Sequence, residues 1–121
     1  MAFRLTSPKP KLVENDIERQ CLDRLRYAGY YPVRLQSGLF KTPDRSARFI
    51  HIGEIGLPDY IVAHPERPAF FLEVKRPGGK LSDQQQMKIM ELERSYRLRV
   101  AVVDRYEALE SFLREHERPP P

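Results

Sequence analysis

Apolar residues recur at helical spacing early in the chain. Ile17, Cys21, Leu25 and Ala28 form one stripe, which predicts a helix over residues 12–28, closed by Gly29 as a C-terminal cap. Upstream, Pro8 and Pro10 break any regular element, so residues 1–11 read as a loose arm. Downstream the pattern changes from helical to alternating. Tyr31, Val33 and Leu35 alternate with their neighbours and predict a strand over 30–35 with those three on one face. Ser37-Gly38 is a turn signal, and residues 40–53 read as a β-hairpin with a basic tip carrying Lys41, Arg45 and Arg48. Two short apolar runs follow, 59–63 and 69–74. The bend between them holds Pro65 and Pro68, so they read as adjacent strands rather than one helix.

Pro77-Gly78-Gly79 stops the second run. Ser82 with Gln85 three residues on fits a capping box and opens a helix over 82–97, with Gln85, Ile89, Leu92 and Tyr96 on its inward stripe. Residues 98–103 are apolar apart from Arg99, which predicts a strand buried inside a sheet. Asp104 and Glu107 suggest a second capping box for a last helix carrying Tyr106, Leu109 and Leu113 on one side. Residues 115–121 form a Pro-rich tail, expected to be loose. The order predicts one α/β domain over 12–114, a central mixed sheet flanked by helices.

A length of 121 residues suits a single domain. With 40% hydrophobic and 31% charged residues, the chain is able to build a core and stay in water. No apolar run approaches the ~20 residues of a membrane span. The basic N-terminus has no apolar stretch behind it, so a secretory signal is not expected and the cytoplasm is. Cys21 is the only cysteine, which excludes an intrachain disulfide and suggests a small buried hydrophobe. Lys plus Arg number 21 against 17 for Asp plus Glu, giving +4. That excess permits a nucleic-acid partner without demanding one. His51, His64 and His116 show no ligand spacing.

The segment Phe70–Lys75 holds the candidate chemistry. Alternation puts Phe70, Leu72 and Val74 on one face and Phe71, Glu73 and Lys75 on the other. A carboxylate and an ammonium therefore sit together at the end of an apolar strand, where burying either alone is costly. Asp59 opens the preceding strand and is a candidate partner, but the stagger of the two strands is not fixed by sequence. Converging carboxylates repel, and a divalent cation relieves the repulsion; Mg²⁺ suits few carboxylates and several waters. Glu14 and Gln85 fall on apolar helix stripes, placed to point at the same end of the sheet.

Pro58-Asp59 followed by Glu73-Val74-Lys75 resembles the PD-(D/E)XK nuclease signature. Adding Glu14, Gly56-Leu57-Pro58-Asp59, and Gly79-Lys80-Leu81-Ser82 leading to Gln85, the run over about 12–114 resembles the VRR-NUC family, the virus-type replication-repair nucleases. The resemblance implies a metal-dependent DNA endonuclease. Asp59, Glu73 and the Val74 carbonyl would hold Mg²⁺ or Mn²⁺, with Glu14 helping through water or a second ion. Lys75 would orient the attacking water or stabilise charge on the phosphate, and Gln85 would hold the geometry. Stand-alone members look like structure-specific nucleases, including four-way junction resolvases. Two opposed cuts by a chain with one site imply a homodimer. Phosphate contacts are expected from Arg76, Lys80 and Lys88, and from Lys41, Arg45 and Arg48.

Plainer readings stand beside these. Glu73 and Lys75 alone make a surface ion pair, Gln85 alone a helix cap, and Glu14 a first-turn acid favoured by the helix dipole. The basic residues alone make a solvated surface. At the level of function the alternatives are a nuclease of another specificity (flap, nicked or single-stranded DNA), a non-cleaving DNA-binding module on the same fold, and a protein-interaction domain.

Overall fold

The computed structural model describes residues 14–35, 38–41 and 49–119. Helix α1 (Glu14–Tyr27) buries Ile17, Cys21 and Leu25, the expected stripe. Gly29 ends it at φ +86°, a backbone region that L side chains rarely adopt. Strand β1 (Tyr31–Arg34) follows, then β2 (Gly38–Lys41) and β3 (Phe49–Ile52), which pair antiparallel as a separate two-stranded sheet. The hairpin expected there is present; Arg45 and Arg48 of its tip lie outside the described residues, as does the arm over 1–11.

The main sheet contains β1, β4 (Tyr60–Ala63), β5 (Phe70–Val74) and β6 (Arg99–Val103), in the order β1-β4-β5-β6. β4 is antiparallel to β1 and β5, and β6 is parallel to β5. A parallel neighbour needs a crossover, supplied by α2 (Asp83–Ser95). Helix α3 (Tyr106–His116) closes the domain, a mixed α/β fold as expected. On one face Phe70, Leu72 and Val74, with Val62, Ala101 and Val103, pack against Ile17, Cys21 and Leu25 of α1 and Leu109 and Leu113 of α3. Cys21 has no exposure, and burial pushes its thiol up to about 11, so it behaves as a small hydrophobe.

Four expectations about the elements are corrected. In β1 it is Tyr30 and Pro32 that turn inward, while Tyr31 and Val33 face solvent. Tyr30 packs its ring against His64 and Phe70, and Pro32 lies opposite Val62, which sets the parity of the strand. Strand β6 is an edge rather than an interior strand, and Val102 is exposed on it. Asp104 does not cap α3; its carboxylate accepts from the Gly78 N–H and the Arg105 guanidinium, and α3 begins without a side-chain cap. Helix α2 buries no residue completely, and Tyr96, expected on its inward stripe, is exposed. The start of the Pro-rich tail is engaged: Glu117 accepts a hydrogen bond from the Tyr30 hydroxyl at 2.7 Å.

Candidate active site

The register settles the stagger that the sequence left open. Tyr60 lies opposite Leu72 and Ile61 opposite Phe71, so one step further sets Asp59 opposite Glu73. The Asp59 carboxylate accepts the Val74 N–H at 3.0 Å, in place of a ladder bond from the backbone. A strand residue directs its N–H and C=O to the same side, which assigns the Val74 carbonyl to the β4 edge of β5 along with its N–H. Glu73 is 3% exposed, the one charged residue buried to this degree among the described residues.

Glu73 points away from the Leu72–Val74 face, and Gln85 meets it from the first turn of α2. The Gln85 amide donates to the Glu73 carboxylate at 3.1 Å, and its oxygen accepts from the Lys75 ammonium at 2.9 Å. That oxygen also accepts the Ser82 N–H at 2.9 Å, while the Ser82 hydroxyl accepts the Gln85 N–H at 3.1 Å. The expected capping box is therefore formed, and it does a second job. By pinning the amide oxygen it turns the amide NH₂ toward Glu73. Lys75 completes the group with its ammonium 3.4 Å from the Glu73 carboxylate. The approach of α2 depends on Gly56, where a Cβ would lie 2.5 Å from the Gln84 carbonyl oxygen and φ is +83°.

Burial raises the Glu73 carboxyl to about 7, with the Asp59 charge adding to the effect and Lys75 opposing it. Asp59 is also raised by burial, against the pull of the Val74 N–H and the Arg34 charge. Two carboxyls that burial raises, set opposite each other beside the Val74 backbone, are the oxygen donors a hard divalent cation takes. This matches what Mg²⁺-like ions take from proteins, one or two carboxylates with waters completing the shell. Among the described residues no group of three or more His, Cys, Asp and Glu gathers into a closed metal cage.

The remaining candidates are placed differently. Glu14 is exposed rather than on the buried stripe, because as the first residue of α1 it lies beyond the apolar cover. Its charge nevertheless reaches Glu73 and helps raise it. Arg76 and Lys80 are exposed in the turn that follows Lys75. Lys88 is bonded to Glu54 at 3.0 Å and Glu91 at 2.9 Å, so its charge is already matched. Lys41 lies in β2. His64 and His116 belong to an aromatic cluster with Tyr30, Phe70 and Phe112, as structural residues.

A further cluster beside Asp59 escaped the sequence reading. Tyr60 donates to Glu18 at 2.6 Å, and Arg34 donates to both at 3.0 and 3.1 Å. The signal that would have found Glu18 is its position one helical turn after Glu14.

A comparison with curated proteins found no match. The profile of the VRR-NUC domain matches residues 14–105, from the first residue of α1 to the start of α3, and includes Asp59, Glu73, Lys75 and Gln85. With that match over most of its length, the chain belongs to the VRR-NUC family and is a nuclease domain of the PD-(D/E)XK type.

Proposed function

We propose that the chain is a divalent-metal-dependent DNA endonuclease that cuts branched DNA, acting as a homodimer on four-way junctions. The observation that carries the metal-dependent reading is the Asp59–Glu73 pair, two carboxylates set opposite each other by the β4–β5 register and tied to Lys75 through Gln85. Asp59, Glu73 and the Val74 carbonyl would hold Mg²⁺ or Mn²⁺, with Glu14 reaching the site through water. Such an ion, when bound, polarises the phosphoryl oxygens and lowers the pKa of bound water. Lys75, held by the Gln85 amide oxygen, presents its ammonium to the charge that develops on the phosphate. Gln85 fixes the orientation of Glu73 and Lys75 together. Arg76 and Lys80 follow directly and bind flanking phosphates.

The branched substrate and the dimer rest on the resemblance to family members that look like four-way junction resolvases. Paired cuts across a junction require two sites, and the described residues offer one candidate. The test incubates labelled four-way junction, flap and plain duplex with Mg²⁺, Mn²⁺ or EDTA, beside an Asp59→Ala control. Paired symmetric cuts in the junction, absent with EDTA and with Asp59→Ala, are expected, with a dimer in light scattering. Cutting of the flap or duplex instead keeps the nuclease site and discards the junction. DNA bound but uncut under every metal leaves a binding module. No helix among the described residues is long and apolar enough to cross a membrane.

A further inference from the structure

We propose that Arg34 is a phosphate-binding residue that holds the DNA strand beside the Asp59–Glu73 pair, and that Glu18 and Tyr60 are positioning residues for it. The proposal rests on the nuclease reading and adds to it a binding residue that the PD-(D/E)XK signature does not contain. Arg34 is the last residue of β1 and lies opposite Tyr60, the residue after Asp59. The next N–H along, that of Leu35, donates to the Asp59 carbonyl at 2.7 Å. Arg34 is therefore carried to the same end of the sheet as the carboxylate pair, on the neighbouring strand, and leaves the sheet on the α1 side with Tyr60 and Glu18. Its charge reaches Asp59 and draws that carboxyl down.

How the guanidinium is held points to a purpose beyond bracing. Nη1 alone makes both described bonds, to the Glu18 carboxylate at 3.0 Å and to the Tyr60 hydroxyl at 3.1 Å. The guanidinium carbon lies 5.6 Å from the centre of the Tyr60 ring. Tyr60 is 5% exposed, whereas the Arg34 side chain is 61% exposed. A long side chain at that exposure ordinarily samples many rotamers; this one is clamped at one nitrogen against a buried ring. Neither described bond uses the Nε–Nη2 edge, and that edge is the fork which matches two phosphate oxygens. The tie between α1 and β4 is already made without Arg34, by the Tyr60 hydroxyl and Glu18 at 2.6 Å. An exposed ion pair adds little to stability. The need for a cation here is electrostatic. Glu14, Glu18, Asp59 and Glu73 converge on this end of the domain, and a polyanion approaching them needs a fixed positive charge at the entrance.

The test measures binding of the full chain to labelled duplex DNA in EDTA across a salt series, with cleavage kinetics in Mg²⁺. Arg34→Gln is expected to weaken binding about tenfold and to reduce the slope of log K against log salt by about 0.9. The cleavage defect falls mainly on KM. Arg34→Lys restores the slope while recovering only part of the affinity, because an ammonium lacks the fork. Tyr60→Phe keeps the slope and raises KM, since the charge remains but its clamp is loosened. Circular dichroism of each variant reports the fold. A slope and KM for Arg34→Gln equal to those of wild type, with only a lowered melting temperature, would make the cluster a brace and overturn the proposal while leaving the nuclease reading intact. Wild-type protein with no salt-dependent DNA binding overturns both.

Discussion

On one face of the main sheet, Leu72 and Val74 pack under Ile17, Leu109 and Leu113, none of them more than 1% exposed. On the other, α2 buries no residue completely and meets the sheet through Gln85, Lys75 and Glu73. The first face is largely apolar and supplies most of the hydrophobic stabilisation, since each large side chain removed from water contributes about 1.5–3 kcal/mol. The second carries a buried acid that costs stability. One five-residue strand, β5, serves both through simple alternation, so stability and chemistry are separated by the thickness of a backbone.

The sharpest way to test this division is to neutralise Glu73. Glu73→Gln is expected to lower DNA cleavage by roughly 10²–10³-fold or more, read by single-turnover kinetics. Metal-free, the same variant should be more stable than wild type at pH 7.5. The native Glu73 carboxyl holds its proton up to about 7, while the unfolded one releases it near 4.5. Between those values the native state binds more protons, so wild-type stability falls as pH rises through that window and levels off above it. The change is roughly 3 kcal/mol. Urea melts in EDTA should show this slope largely flattened in Glu73→Gln, leaving the smaller contribution of Asp59 in the same direction.

A core change should do the reverse. Leu109→Ala is expected to cost about 2–5 kcal/mol in urea melts while kcat per folded molecule stays near wild type. If kcat falls as it does for Glu73→Gln, the two faces are not separable. Gly56→Ala probes the join between them. A Cβ there meets the Gln84 carbonyl and the backbone is at positive φ, so α2 must shift and carry Gln85 with it. Loss of that orienting contact should lower cleavage about 10–100-fold, more than its effect on the melting temperature would suggest. The mildest variant is Ser82→Ala, which removes the cap accepting the Gln85 N–H and should cost about 1 kcal/mol.

The sequence made the grouping of the candidate residues more legible than the packing. Glu73 and Lys75 stand out because charges at alternating positions of an apolar strand need a reason, and Gln85 because its spacing from Ser82 gives a cap. The convergence of Asp59 on Glu73 was not legible, because a bend with two prolines sets no unique register. The parity of β1 was misread because Tyr30 to Leu35 carries apolar residues on both faces. An apolar run over 98–103 reads the same for an interior strand and for an edge strand half covered by a helix, so the edge position of β6 stayed hidden. Asp104 has the spacing of a cap but is taken by the Gly78 N–H, a tertiary contact that local pattern cannot foresee. Arg34, Tyr60 and Glu18 are far apart in sequence and look unremarkable singly.

The bend over 64–69 joins β4 and β5 at the end opposite Asp59 and Glu73. Length changes in that bend leave the pairing of Tyr60 with Leu72 untouched, so insertions and deletions can accumulate there without cost to the site. A single residue lost from 60–63 or 70–73 does the opposite. It slides the two carboxylates out of opposition and turns Glu73 or its partner onto the apolar face. The lineage of such a domain should therefore record its history in loop length, with the two short strands frozen in length between them.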